Sequence, residues 1–260
     1  MSEGKKKETI GKTILVAATL CIVCSIIVST AAVMLKPTQV ANKNLDFKRN
    51  ILAAAGLLDA SASVEEQFKK VEQRIVDFDA GKFSDEVDPA DYDQRRAARD
   101  PAMSEALTKQ DDIAGLSRRE KLAEVYIVRE NDELKKIILP IRGYGLWSTL
   151  HGFIALEDDL NTVVGLGYYE HAETPGLGGE VDNPRWKASW EGKKIYGEDG
   201  DVNLSIVKGG VNSSTPNAEY KVDALSGATL TSNGVDNMIK YWLGEDGYKS
   251  FLRNLKNGEA

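Results

Sequence analysis

From Ile14 to Leu35 the chain carries no charged residue, running Ile-Leu-Val-Ala-Ala-Thr-Leu-Cys-Ile-Val-Cys-Ser-Ile-Ile-Val and on to Met34-Leu35. At a rise of about 1.5 Å per residue, some twenty such residues cross a hydrocarbon core roughly 30 Å thick. The pattern predicts a transmembrane helix over 14–35, closed by Lys36-Pro37, behind a short tail of residues 1–13. The competing reading is a cleaved signal peptide, because Ser29-Thr30-Ala31 offers small residues for cleavage; the length of the run favours the anchor. Charge does not orient it. Lys5, Lys6, Lys7 and Lys12 precede the run, and Lys36, Lys43, Lys48 and Arg49 follow it.

Beyond the run, residues 42–79 read as helix. Ile51, Leu52, Ala55, Leu57 and Leu58 make one apolar face, and Val64, Phe68, Val71, Ile75 and Phe78 recur at helical spacing. Residues 79–121 are dense in charge and read as a solvated stretch, irregular or in short helices, wrapped on a core. Strand patterns then follow at 123–129, 137–142, 152–156 and 162–169, parted by Asn131-Asp132 and by Asp158-Asp159-Leu160-Asn161. Such short connections imply antiparallel pairing. A short helix is predicted at 186–190, a strand at 204–207 and a helix at 233–243. The expected fold is α+β: one N-terminal membrane helix, a connecting region over 36–121, and an antiparallel-sheet domain with flanking helices over 122–260. No βαβ alternation or Rossmann glycine fingerprint is present.

The net charge of −7 leaves no electrostatic footprint for nucleic acid. Cys21 and Cys24 are the only cysteines, and His151 and His171 the only histidines. Outside the apolar run there is therefore no cysteine for a disulfide, a zinc site or an iron–sulfur cluster, and redox chemistry there needs an organic cofactor. Cys21 and Cys24 share a helix face amid apolar residues, a pattern of helix packing rather than of dithiol chemistry.

Three segments carry candidate chemistry. Gly143-Tyr-Gly-Leu-Trp-Ser-Thr149 is a glycine-punctuated loop presenting Tyr144, Trp147 and Ser148; by itself it reads equally as a β-turn. His171-Ala-Glu-Thr-Pro-Gly-Leu-Gly-Gly179 joins a φ-fixing proline to glycines that let the backbone approach something flat or bulky. A plain loop remains open for it too. In Asp223-Ala-Leu-Ser-Gly-Ala-Thr229, followed by Leu-Thr-Ser232 and a helix, hydroxyls crowd a helix start, where free N–H groups favour a phosphate. Ser232 is expected as the N-cap, and the small Gly227 and Ala228 leave room at Thr229.

Asp-x-x-Ser-Gly-Ala-Thr resembles the acceptor motif of the FMN-binding domain family, in which the last threonine is esterified to FMN phosphate by a flavin transferase. With His171-x-Glu-Thr-Pro-Gly-Leu-Gly, the chain is similar to the flavin-carrying C subunits of sodium-translocating NADH:quinone oxidoreductases. The similarity extends over nearly the whole chain, through Asn50-Ile-Leu-Ala-Ala-Ala-Gly-Leu57, Tyr92-Asp-Gln-Arg95, Gly145-Leu-Trp-Ser148 and Lys208-Gly-Gly210. It implies a single-pass subunit in a bacterial inner membrane, with a cytoplasmic tail and a periplasmic soluble domain. Its role would be to relay single electrons from iron–sulfur-carrying membrane subunits to the FMN of the B subunit. It also implies covalent FMN on Thr229, a phosphate loop of Ser226, Gly227, Ala228 and Leu230, and a ring approached by Glu173, Thr174 and Leu177. Pro175, Gly176 and Gly178 would shape that approach, with Tyr144, Trp147, Ser148, Lys208 and Gly209 in the same pocket. The equivalent subunit of ferredoxin:NAD oxidoreductases shares both motifs and is the near alternative. A flavin-free, membrane-anchored binding module is the distant one.

Overall fold

The computed structural model describes residues 9–260; Lys5, Lys6 and Lys7 lie outside the described residues. The chain forms two compact units, one ending at Asp46 and one spanning Phe47–Ala260.

The helix α1, Ile10–Ala54, begins earlier than the expected anchor and does not stop at Lys36-Pro37. Pro37 lies inside it. A single internal proline removes one i→i−4 hydrogen bond and tends to kink a helix, but 45 residues of otherwise helical backbone absorb that cost. Within the first unit the apolar window of α1 is entirely exposed, and α1 is the one helix among the described residues long and apolar enough to cross a membrane.

In the second unit, α1 ends by burying Ile51 and Leu52, and Lys136 Nζ donates to the Ala55 carbonyl just past its end. A short helix α2, Val64–Phe68, is capped by the Ser63 side chain, which accepts from Glu66 N–H. The strand β1, Val71–Asp77, comes next and corrects the expected helix over 42–79. Val71 and Ile75 are four residues apart, a spacing that puts them on one face of a strand as readily as of a helix. The charged stretch holds β2 (Lys82–Ser84), α3 (Gln94–Ala97), β3 (Ser104–Ala106) and β4 (Arg118–Glu120), so it carries short strands as well as the expected short helix. Polar side chains tie it down: Tyr92 Oη donates to the Leu122 carbonyl at 2.7 Å, and Gln94 bonds both Glu120 and the Glu124 N–H.

The four expected strands are β5 (Leu122–Glu130), β6 (Glu133–Tyr144), β7 (Thr149–Glu157) and β8 (Val163–Glu170). With β1 and β2 they form one antiparallel sheet in the order β2-β1-β5-β6-β7-β8. Both faces are covered, so the middle strands read as nearly continuous apolar runs. Tyr126, Ile138 and Phe153 pack under Ile51 and Leu52, while Ile127, Leu139 and Ile154 join the opposite core. Gly165 is needed on β8, since a Cβ there would stand 2.6 Å from the Ala54 carbonyl oxygen. The two sheet edges differ. β2 has only three residues and starts with exposed Lys82, whereas the start of β8 is covered by residues 192–194, with Val163 N–H donating to Lys193 and Gly192 N–H to Val163.

After β8 come α4 (Pro184–Ala188), started by the Asn183 cap, and β9 (Ser205–Val207), both close to expectation. β9 pairs in parallel with β10, Lys221–Asp223, a three-residue strand too short to show a pattern. The helix α5, Thr229–Trp242, starts four residues before the expected 233, and α6, Lys249–Asn257, closes the unit. Met238, Ile239 and Trp242 of α5 and Phe251 of α6 fill the core opposite α1.

Candidate functional site

The acceptor motif occupies the link from β10 to α5. Ala228 N–H donates to the Leu225 carbonyl, closing a turn whose third residue, Gly227, has φ +73°. Ser232 is not the N-cap. Its buried hydroxyl accepts from Leu225 N–H and donates to the Ala228 carbonyl, clamping that turn from inside the first helical turn. The N-cap is Ala228, which offers no side-chain acceptor. The helix therefore opens with N–H groups that no cap satisfies, at its positive end.

Three hydroxyls compete in sequence, and the structure separates them. Thr231 is buried and donates to Glu173 Oε2 at 2.7 Å. Ser226 is exposed but sits in the turn, before the helix begins. Thr229 is exposed at the first helical position, and among the described residues its hydroxyl has no hydrogen-bond partner.

Glu173, expected to approach a ring, carries its carboxylate inward and is 5% exposed. Oε1 accepts from the N–H groups of Leu146 (3.1 Å), Trp147 (3.0 Å) and Ser148 (3.2 Å), and Oε2 accepts from Thr231 Oγ1. Burial alone pushes the carboxyl up, but the Trp147 N–H, the Thr231 hydroxyl and the N–H groups of Leu146 and Ser148 outweigh it and hold the group below the ordinary carboxylate range. Gly145 and Gly178 make room for this brace: a Cβ on either would lie 2.7 Å from a Glu173 oxygen. Ser148 Oγ accepts from Ala172 N–H at 2.7 Å, a second tie between the two loops. His171 Nδ1 accepts the Glu173 N–H, and its Nε2 lies 2.8 Å from Asp182.

Thr174 accepts from Leu177 N–H across a turn with Pro175 second and Gly176, φ +77°, third, the requirement of a type II turn. The turn brings Leu177 against the acceptor loop, where a Cβ on Gly227 would lie 3.2 Å from Leu177 Cδ2. Five large apolar side chains stand exposed on these segments: Tyr144, Leu146, Trp147 (66%), Leu177 and Leu230 (58%). Outside α1 only Leu58, Met103 and Ile113 share that class among the described residues, so the site holds most of the unit's exposed apolar side chains. Lys208 and Gly209 are exposed and follow β9; Asp223 accepts from Val211 N–H at 2.7 Å, holding that segment beside the acceptor strand. Among the described residues, no hydrogen bond or ion pair joins the Lys208 side chain to the other site residues.

Sequence reasoning missed Gly234 and the loop over 111–116. Gly234 lets α5 lie against the Tyr144 carbonyl, which a Cβ would strike. The loop accepts the Tyr144 N–H on Ala114 at 2.8 Å. A lone glycine inside an amphipathic helix was the available signal for the first; a charged loop gives none for the second.

The arrangement suits a phosphorylated, flat, largely apolar ligand. The uncapped helix start could hold a phosphate, and the exposed aromatic and aliphatic side chains could hold a flat ring. The FMN-binding domain family matches residues 145–244, a span that holds the second and third candidate segments, all of the first but Gly143 and Tyr144, and not the loop over 111–116. The C subunit of the Na(+)-translocating NADH-quinone reductase of Pseudomonas aeruginosa is 52% identical over 258 residues, covering 98% of this chain and 99% of that protein. The Yersinia pestis protein of the same name is 46% identical over 98% of this chain and 96% of its own length. Among solved structures, Shewanella oneidensis NqrC superposes with a TM-score of 0.77 at 35% identity, over 84% of this chain and 99% of that one. The chain belongs to the family of C subunits of the Na(+)-translocating NADH-quinone reductase.

Proposed function

We propose that this chain carries FMN esterified through its phosphate to the Thr229 hydroxyl, and that it serves as a single-electron carrier in a sodium-pumping NADH:quinone oxidoreductase. The observation that carries the proposal is the unpartnered Thr229 hydroxyl at an uncapped helix start, on a site whose loops also expose Trp147, Leu177 and Leu230. FMN supplies the one-electron chemistry; the protein supplies place and polarity. Thr229 holds the phosphate, the N–H groups of the first turn of α5 offset its charge, and the turn 225–228 keeps the approach open. Tyr144, Trp147 and Leu177 cover the ring and exclude water from it, with the 174–177 turn fixing Leu177 in place.

The chain sits in the inner membrane by α1, with Phe47–Ala260 on the periplasmic side. It stands between iron–sulfur-carrying membrane subunits and the flavin of the B subunit, and it receives its FMN from a flavin transferase. The full-length family match supports the quinone reductase over the ferredoxin:NAD enzyme. Intact mass of the full chain made beside its transferase tests the proposal: a single FMN-phosphoester increment, mapping to the peptide that contains Thr229, is expected. An increment on Ser226 or Thr231 overturns the site, and none at all overturns the function. A reporter fused after Ala260 is expected to be active only outside the cytoplasm.

A further inference from the structure

Successive backbone N–H groups that point into one concavity ordinarily make an anion site open to ligands. In the 145–148 connection the N–H groups of Leu146, Trp147 and Ser148 converge in this way, but the anion they meet is internal: the carboxylate of Glu173. The fourth donor, the Thr231 hydroxyl, comes from the first turn of the helix that begins at Thr229. Among the described residues no cation pairs with this carboxylate, and the balance of its hydrogen bonds over its burial keeps it ionised. His171 does not pair with it either: its Nδ1 meets the Glu173 backbone N–H, and its Nε2 faces Asp182.

We infer that Glu173 is a positioning residue that also lowers the electron affinity of the flavin: it consumes the donors of the loop beneath the ring and leaves one uncompensated negative charge behind the ring-facing surface. The inference rests on the reading that FMN lies on these loops. Donors and positive charge aimed at a flavin ring favour its reduction, because reduction adds negative charge there. Here the three loop donors are turned away from the ligand side, and what stands behind them is an anion. In a site partly withdrawn from water, that anion opposes the incoming electron more strongly than a solvated one does. The loop thus meets the ring with the apolar Leu146 and Trp147 side chains and no backbone donor of its own. The brace and the charge are one device. Thr231 ties the carboxylate to the same helical turn that presents Thr229, so the charge stays fixed relative to the point of attachment.

Two variants of the full, flavinylated chain separate charge from brace. In Glu173→Gln the amide oxygen keeps the three N–H bonds, and the amide NH2 donates to a Thr231 hydroxyl turned to accept; the shape is kept and the charge removed. Thr231→Val keeps the charge and removes one bond. Intact mass and the flavin midpoint potential are read for both. The expected result is flavin retained in both variants, with the potential shifted upward in Glu173→Gln and not upward in Thr231→Val. Equal potentials in Glu173→Gln and wild type overturn this inference alone, as does loss of flavin from a folded Glu173→Gln, which would make the residue a brace for attachment only. Should Glu173→Gln not fold, Thr231→Val still decides: an upward shift with the charge intact overturns the inference, and an unchanged or lowered potential supports it. Wild type without any flavin overturns this inference and the flavin reading together.

Discussion

Two regions of this chain show apolar side chains to solvent, and they do so in different ways. In the apolar run of α1 the exposure is unbroken: Ile14, Leu15, Leu20, Ile22, Ile26 and Ile27 are all more than half exposed, around the whole circumference of the helix. Around Thr229 it is confined to five side chains on three segments, each pinned from below by Glu173, by the Pro175-Gly176 turn or by the Ser232 clamp. A helix apolar on every side satisfies its own backbone and asks only for an apolar solvent. A few apolar side chains held on a braced scaffold ask for one shape. Exposure shows that something is missing from water's side of the protein; the backbone behind it shows whether that something is a solvent or a ligand.

Breaking the second region has the largest expected effect. Thr229→Ala is expected to abolish the flavin mass increment entirely while leaving the fold intact, because an exposed side chain without a hydrogen bond changes stability by no more than about 0.5 kcal/mol. Thermal unfolding alongside intact mass checks both halves. Next comes the first region. Ile22→Lys puts a charge in the middle of the apolar run, at an insertion cost of about 2.5–3.5 kcal/mol, and should shift the chain from the membrane to the soluble fraction without moving the melting transition of the Phe47–Ala260 unit. A melting shift there would mean that the two exposures are not independent.

Thr231→Val should keep the flavin but cost roughly 1.5–3 kcal/mol in chemical denaturation, the range for a hydrogen bond to a charged group. Acid gives a smaller, signed test. The Glu173 carboxyl is held below its unfolded value of about 4.3, so its contribution to stability is fully present above that pH and is lost as pH falls through the folded value. Glu173→Gln should therefore flatten the decline in stability below about pH 4.3; an unchanged acid limb would mean the brace does not favour the ionised form. The smallest expected effect on the fold is that of Trp147→Ala. Two-thirds exposed, it should leave the stability of the flavin-free protein within about 0.5 kcal/mol while changing the flavin's absorption or emission.

Much of this was legible in the residues. The charge-free run marked α1, the alternating and continuous apolar stretches marked β5 to β8, and Ser226-Gly-Ala-Thr229 marked the turn into α5. What escaped has physical causes. Spacings of four belong to both periods, so the pattern predicts helix where β1 forms, and the three residues of β10 have no period to show. Ser232 has the chemistry of a cap, yet its hydroxyl bonds backward into a turn whose closure depends on Gly227, so the helix starts earlier and at Thr229. The inward turn of Glu173 depends on three N–H groups some 26 residues away in sequence, and on Gly145 and Gly178 leaving space for it. Local pattern holds no trace of such a convergence.

The unequal edges of the sheet bear on how many copies of this chain can lie close together. An open strand edge is a template for a second chain, and crowding many identical domains against one surface raises the chance of cross-pairing. β2 offers only three residues, led by a lysine, and β8 has its opening pair of hydrogen bonds already taken by residues 192–194. A neighbouring copy thus meets a three-residue edge on one side and an edge with its start already paired on the other, and both shorten the template for cross-pairing.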